Sequence, residues 1–465
     1  MKRTLNRSMF IAIISVGFIF GLCLFFFRIV TNSDTWVQQG YNGHIAGSYG
    51  LAQAGTVYDR NGEILAQSID RQRIYNKKEI TRKSTLHVVG DNSLNISTAI
   101  QSTYRADLTN FNYIWGLGMP ESFKNNKNLT LTIDSKACDV AYNALGDKKG
   151  AVVVINYKTG EVLCSVSNPT YDPQKPPVIT EKNESEYEGA YLDRVLSSTF
   201  IPGSTFKIIT AAAAIEHIPD INEKTYNCQG GTYINGQFIS CLGNHGNIGF
   251  KDALAKSCNS AFAQIAVEVG KENMQKTAEQ MGITSSFNVG NISTAKGKYD
   301  VLSADNAQLG WSGIGQYTDL VNPMQMAILM GAIATDGTSI DPYILANKSR
   351  SEYYPLNSKL PSYGDKLLST YTATTLNDML RYNITSNYGD NMFGGLQVCA
   401  KTGTAEVSDD EKSKNDAWMV GFSRDEDAPL AFAVIVEDGE FGYTTAGPIA
   451  VEVMKACAEV VRNNK

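Results

Sequence analysis

The sequence is short of cysteine: the chain has eight among 465 residues, and no two form a C-x-x-C pair. That is too few for a disulfide framework in a chain of this size, and the spacing lacks a zinc signature. No metal and no cofactor are therefore expected. Cys228 and Cys241 bracket the segment CQGGTYINGQFISC. They either pair outside the cell or stay two small buried thiols, and both readings remain open. Excess positive charge is also missing. Four of the 41 basic residues (Lys2, Arg3, Arg7 and Arg28) lie in the first thirty positions, leaving 37 against 47 acidic ones, a net charge of −10. Such a surface gains nothing from counter-ion release on a polyanion, so no nucleic-acid partner is expected.

What the chain does have is one long apolar run, Met9 to Phe27, behind a basic start, MKRTLNRS. Its length suits a bilayer crossing. The sequence continues RIVTNSDTWVQQ, with no small-residue cleavage site, so an uncleaved anchor is expected rather than a cleaved signal peptide. The basic flank places residues 1–8 in the cytoplasm, residues 9–30 in the membrane and everything after Val30 outside.

From residue 31 to 128 the composition is polar, and GTVYDRNGEILA carries an N-G dipeptide between apolar residues, the mark of a hairpin. A small extended domain is expected there. Beyond it, SKACDVAYNALGD reads as a helix, and GAVVVINYKTGEVLCSVSNP as two strands joined at YKTGE. The prolines and charges of NPTYDPQKPPVITEKNESEYEGAY exclude regular structure and leave a surface loop. A largely helical stretch follows to about Gly337. Then LQVCAKTGTAEV, DAWMVGFS and LAFAVIVEDG read as strands, and GPIAVEVMKACAEVVRN as a closing amphipathic helix. Strands at both ends with helices between predict a mixed sheet completed late, in an α/β or α+β fold.

Three short patterns suggest chemistry. STFIPGSTFKIITAAAAIE places Ser204 and Lys207 one helical turn apart, KSCNSAF contains Ser257 and Asn259, and AKTGTAEV contains Lys401, Thr402, Gly403 and Thr404. Each alone has an ordinary reading, since a proline at a helix start and a K-T-G turn are common. A serine hydroxyl is a weak nucleophile, and Lys207 can act as its base only when neutral. Burial and a second cation would achieve that, with Lys401 the expected cation. The N–H of Ser204 at the helix start and one from a strand edge can hold an oxyanion. Thr402 and Thr404 beside Lys401 suit a carboxylate, Asn259 can orient an amide, and Ser257 can relay a proton to a leaving amine. Gly403 is expected to let substrate approach the strand edge.

S-x-x-K, S-x-N and K-T-G together form the set shared by penicillin-binding proteins and class A β-lactamases. With GTVYDRNGEILA, GNHGNIGFKDALAKSCNSAF, GIGQYTDLVNPMQMAILMGAIATDG and DAWMVGF, the chain resembles a class B penicillin-binding protein from about Gly55 to its end. Such a protein is a membrane-anchored D,D-transpeptidase that cross-links peptidoglycan stems. The resemblance implies the penicillin-binding transpeptidase fold: a mixed, mainly antiparallel sheet flanked by helices, with a helical subdomain. It also implies a non-catalytic pedestal over residues 31–128 and a transpeptidase domain over residues 129–465. By the same resemblance Ser204 is the acylated nucleophile and Lys207 its base, Ser257 and Asn259 are the second motif, and Lys401, Thr402, Gly403 and Thr404 the third. The N–H groups of Ser204 and Thr404 would form the oxyanion hole. Expected partners are stem peptides, lipid-linked nascent glycan, β-lactams and a SEDS-family glycan polymerase.

Two departures stand out: Ala54 where family members commonly carry arginine, and Asp193, Arg194, Val195 where N-R-A is frequent. A non-catalytic protein of the same fold is the alternative. A β-lactamase would need a deacylating E-x-x-L-N segment, and the nearest candidate, EYYPLN from Glu352 to Asn357, has one residue too many.

Overall fold

A computed structural model describes residues 2–37, 51–52, 54–109, 128–346, 363–389, 391–406 and 415–463. The candidate segment from Glu352 to Asn357 lies outside these, as do parts of the expected extended domain.

Helix α1 (Lys2–Val37) contains the apolar stretch Arg7–Ile29, whose mean hydropathy is 2.7 and which none of the described residues buries. It is long and apolar enough to cross a membrane. Strands β1 (Val57–Tyr58), β2 (Ile64–Ile69), β3 (Gln72–Tyr75) and β4 (Leu129–Thr130) form a small sheet in the order β3-β2-β1-β4. The GTVYDRNGEILA hairpin is β1 and β2. At its turn Asp59 Oδ1 accepts from Asn61 N (2.8 Å) and Glu63 N (2.9 Å), and Gly62 takes the positive φ of 83° that the turn requires. Arg73, from β3, donates from Nη1 to the carbonyls of Ala54 (3.3 Å) and Gly55 (2.9 Å), so an arginine does hold this segment although position 54 is alanine.

The main sheet is built from β5 (Gly150–Asn156) and β6 (Val162–Asn168) with three later strands, β11 (Val398–Ala405), β12 (Asp416–Ser423) and β13 (Leu430–Val436), in the order β11-β12-β13-β5-β6. Every neighbouring pair is antiparallel. The sheet is thus completed late in the chain, as expected; among the named strands the parallel pairing joins β1 and β4, and a parallel bridge from Glu161, just before β6, to Tyr343 flanks the main sheet. Short connections join β5 to β6 and link β11, β12 and β13, and such connections return the chain antiparallel. Strands β5, β6, β12 and β13 are buried along their whole length, because helices cover both faces.

Helices α2 (Ser135–Leu145) and α7 (Gly442–Asn463) pack together, with α7 against β12 and β13. Helix α5 (Pro323–Ala334) packs against β13, β5 and β12. It is apolar all round and buried, which is what a central helix requires. Pro323 opens it, and Asn322 and Gln325 form a reciprocal capping box. Between β6 and α5 lie α3 (Lys207–His217), the small strands β7 (Thr225–Cys228), β8 (Gly231–Ile234), β9 (Gln237–Ser240) and β10 (Gly246–Gly249), and α4 (Asn259–Val269). α6 (Thr370–Asn383) packs against β11.

The polar segment after β6 differs from expectation in one place: it contains a single helical turn, Glu184–Tyr187. Asn183 Oδ1 accepts from Thr180 N (2.7 Å) just before it, and this local side-chain turn lets a polar loop coil once. The closing helix also starts earlier than its apolar pattern suggests, at Gly442, with Pro448 inside it.

Candidate active site

The Ser204 turn is fixed before its hydroxyl is considered. A 3-10 turn, Gly203–Phe206, leads straight into α3. Gly203 N donates to Gly315 O (2.9 Å), and Trp418 Nε1 on β12 donates to Ile201 O (3.0 Å). Gly203 has a φ of 50°, and a Cβ there would lie 2.4 Å from Thr404 O. Gly315 is as tight, its would-be Cβ falling 1.9 Å from Gly203 O. Both positions need glycine, because backbone approaches backbone there.

Lys207 opens α3, one turn beyond Ser204, and is fully buried; its Nζ lies 2.8 Å from Ser204 Oγ, 2.6 Å from Asn259 Oδ1, 3.0 Å from Ser257 O and 3.2 Å from Ser257 Oγ. Ser257 sits between the helix Phe250–Ala255 and α4 with a φ of 53°, an uncommon conformation for a serine and one that aims both its hydroxyl and its carbonyl at Lys207. Lys401 on β11 reaches the same hydroxyl from the other side, its Nζ 3.0 Å from Ser257 Oγ and 2.8 Å from Thr402 O. The three patterns, distant in sequence, thus meet at Ser257.

Burial pushes the Lys207 amine down from 10.5 to about 7, while the thiols Cys241 and Cys258 act the other way. Lys401 is also pushed well below its usual value, first by burial and then by the charge of Lys207. The sequence expectation paired burial with a second cation: burial is the first cause for both amines, and their mutual repulsion disfavours charging Lys207 and Lys401 together.

Along β11, Lys401, Gly403 and Ala405 are buried while Thr402 and Thr404 are half-exposed. Thr402 Oγ1 bonds to Tyr388 OH (2.9 Å), and Thr404 Oγ1 accepts from Gly442 N (3.3 Å). A Cβ at Gly403 would meet Pro202 O and Thr205 Cγ2, each at 2.9 Å. Gly403 therefore lets the strand close on the Ser204 turn, and the expectation that it gives way to substrate is replaced. Tyr388, stacked on Tyr443 at 4.6 Å, is a further neighbour of Thr402 that the sequence did not disclose, because it reaches that residue from the π-helical turn Ile384–Tyr388.

All eight cysteines are free, Cys228 and Cys241 among them, the first buried and the second half-buried. Spacing along the chain also hid one grouping: Cys228, Cys241, His245 and Cys258 bring their ligand atoms within 4.8 Å of one another.

The penicillin binding protein transpeptidase domain family matches this chain over residues 150–455. The peptidoglycan D,D-transpeptidase PbpA of Mycolicibacterium smegmatis is 28% identical over 361 residues, 71% of this chain and 71% of that protein. The fold is similar to penicillin-binding protein A from M. tuberculosis, solved as its ceftriaxone acyl-enzyme complex, with a TM-score of 0.75 and 24% identity over 88% of this chain and 99% of that one. It is likewise similar to the D,D-transpeptidase domain of a peptidoglycan glycosyltransferase from Eggerthella lenta, with a TM-score of 0.72 and 26% identity over 88% and 98% of the two chains. With the family matched from the first strand of the main sheet almost to the end of α7, the chain belongs to the penicillin-binding protein transpeptidase family.

Proposed function

We propose that this chain is a serine-type peptidoglycan D,D-transpeptidase, inhibited covalently by β-lactams, with Ser204 as nucleophile and Lys207 as its base. The observation that supports this most is Lys207 Nζ: buried, depressed to about 7, and within hydrogen-bond reach of Ser204 Oγ, Ser257 and Asn259 at once. A neutral amine has two N–H donors and one lone pair. Asn259 Oδ1 and Ser257 O take the two donors, and the lone pair accepts the Ser204 proton.

In the first half-reaction Ser204 Oγ bonds to the carbonyl carbon of the penultimate D-Ala, and the bond to the terminal D-Ala nitrogen breaks. The serine proton passes to Lys207 and through Ser257 to the departing amine. In the second, the amine of another stem attacks the ester, and Ser204 recovers its proton. The N–H groups of Ser204 and Thr404 hold the oxyanion, Asn259 orients the substrate amide, and Thr402 and Thr404 take its carboxylate. Lys401 holds Ser257 in place, with Gly403 as the close contact behind the nucleophile turn. The donor is a D-Ala-D-Ala stem on lipid-linked nascent glycan, and a SEDS-family polymerase supplies the strand. Residues 31–128 act as a non-catalytic pedestal, residues 129–465 carry the chemistry, and residues 1–8 lie in the cytoplasm before the 9–30 anchor. Protease added to wall-stripped cells should then digest the chain after Val30, and full protection would refute that orientation.

Because Lys207 acts neutral and its pKa is about 7, acylation by penicillin should rise with pH through about 7 and level off above it. A rate that is flat between about pH 5 and pH 9 would contradict this assignment.

The reaction class is tested by the lifetime of the adduct. The sequence has no E-x-x-L-N segment to supply the general base that activates water in class A β-lactamases. Withholding about 5.5 kcal/mol of transition-state stabilisation slows deacylation by roughly four powers of ten. Purified protein should hold a penicilloyl group for many minutes while passing a D-Ala-D-Ala stem peptide to an amine acceptor. Penicillin turnover at many cycles per second would move the chain to the β-lactamases.

A further inference from the structure

Next to the second motif, three thiols and an imidazole converge from separate segments. Cys228 ends β7, Cys241 follows β9, His245 precedes β10, and Cys258 caps the N-terminus of α4. Cys228 and Cys258 are buried, and Cys241 and His245 half-buried. His245 Nδ1 lies 3.5 Å from Cys228 Sγ and 3.6 Å from Cys241 Sγ, and Cys241 Sγ lies 3.8 Å from Cys258 Sγ.

These distances discriminate between chemistries. A disulfide needs sulfurs about 2.05 Å apart. A tetrahedral zinc ion with Zn–S of about 2.3 Å and Zn–N of about 2.1 Å sets S···S near 3.8 Å and S···N near 3.6 Å. The three separations above match the second set, and all four ligand atoms lie within 4.8 Å of one another. Three thiolates and a neutral imidazole are also the donor chemistry that zinc favours in closed structural sites. The surroundings suit thiolates: Ala261 N faces Cys258 Sγ at 3.4 Å, and the backbone N–H groups of Gly243, Asn259 and Ser260 face Cys241, so the start of α4 points its positive end at the cluster.

We propose that Cys228, Cys241, His245 and Cys258 form a Cys3His structural zinc site that clamps the second motif. Cys258 stands between Ser257 and Asn259, both of which touch Lys207. The β9 end is already tied to this motif once, by Asn259 Nδ2 donating to Ser240 O at 2.9 Å. The metal adds the second tie, through Cys241 and Cys258, and holds Ser257 in its left-handed conformation. These four residues are positioning residues for the acyl transfer; the binding of zinc does not depend on that reading.

The test uses the full chain purified in detergent without chelator. Elemental analysis should find about one zinc per chain. Exchange with cobalt(II) should give the intense thiolate-to-cobalt charge-transfer absorption and the visible bands of a tetrahedral site. Cys228→Ser and His245→Ala should lose both signals, while Cys23→Ser, in the apolar helix, should keep them. Removing the metal should slow penicillin acylation by up to about a hundredfold, the order expected for an ångström-scale displacement of catalytic groups, and zinc alone should restore it. Wild-type protein that holds no zinc and takes up no cobalt would overturn the site, whatever the variants do. So would a mass lower by two hydrogens, mapped to joined Cys228 and Cys241 peptides. Zinc binding with unchanged acylation after its removal would leave the metal site standing and overturn its positioning role.

Discussion

Replacing Ser204 with alanine should abolish covalent labelling by penicillin and peptide transfer together, with a fall of roughly 10⁶-fold or about 8 kcal/mol in the acylation barrier. The size follows from the mechanism, because no other oxygen can inherit the acyl group. Ser257 Oγ lies between two lysine amines, 3.2 Å from Lys207 Nζ and 3.0 Å from Lys401 Nζ, which suits it to move a proton rather than to carry the acyl group. The fold should survive the change. The turn is held by Gly203 N on Gly315 O and by Trp418 on Ile201 O rather than by the hydroxyl, so thermal stability should move by no more than about 1 kcal/mol. Labelling at the native rate, in protein that melts normally, would mean that another nucleophile does the work.

Lys207→Arg should slow acylation by about 10² to 10⁴-fold, the range for losing a general base. Arginine keeps the cation but does not release its proton at any ordinary pH. It also does not fit: Nζ sits among four oxygen atoms at 2.6 to 3.2 Å, and a planar guanidinium cannot reproduce those contacts. The pH profile separates the two causes. Loss of the base should remove the rise through about 7, whereas crowding alone would lower the rate and keep the rise. Near-native acylation by this variant would pass the role of base to another amine, with Lys401 the first candidate.

The candidate groups could be named from the sequence because each pattern is local, S-x-x-K one helical turn, S-x-N one tight bend and K-T-G one strand, and because the three occur together; the spacing of any one alone has an ordinary reading. The order of strands and helices was legible for a similar reason: β5, β6, β12 and β13 are buried on both sides, and continuous apolar runs announce this. What depends on tertiary approach was not. Gly403 reads as a gap for substrate until the Ser204 turn is seen packed on it. The low pKa of Lys207 reads as the joint work of burial and a second cation, and that the amine is completely buried shows only in the fold. Tyr388 gives no local signal, since its hydroxyl meets Thr402 only after α6 has turned back on β11. The thiol cluster shows the limit most sharply. A search for C-x-x-C passes over it, because pairing of β7 with β10 sets Cys228 opposite Gly246, beside His245, and the start of α4 supplies Cys258.

The central claim is that acyl transfer runs through Ser204, and one measurement tests it directly. Full-length protein is incubated with penicillin at neutral pH, digested, and the modified peptide sequenced by mass spectrometry. The account predicts a single penicilloyl group on the peptide containing STFIPGSTFK, at Ser204. An adduct on Ser257, on any other residue, or on none would contradict it.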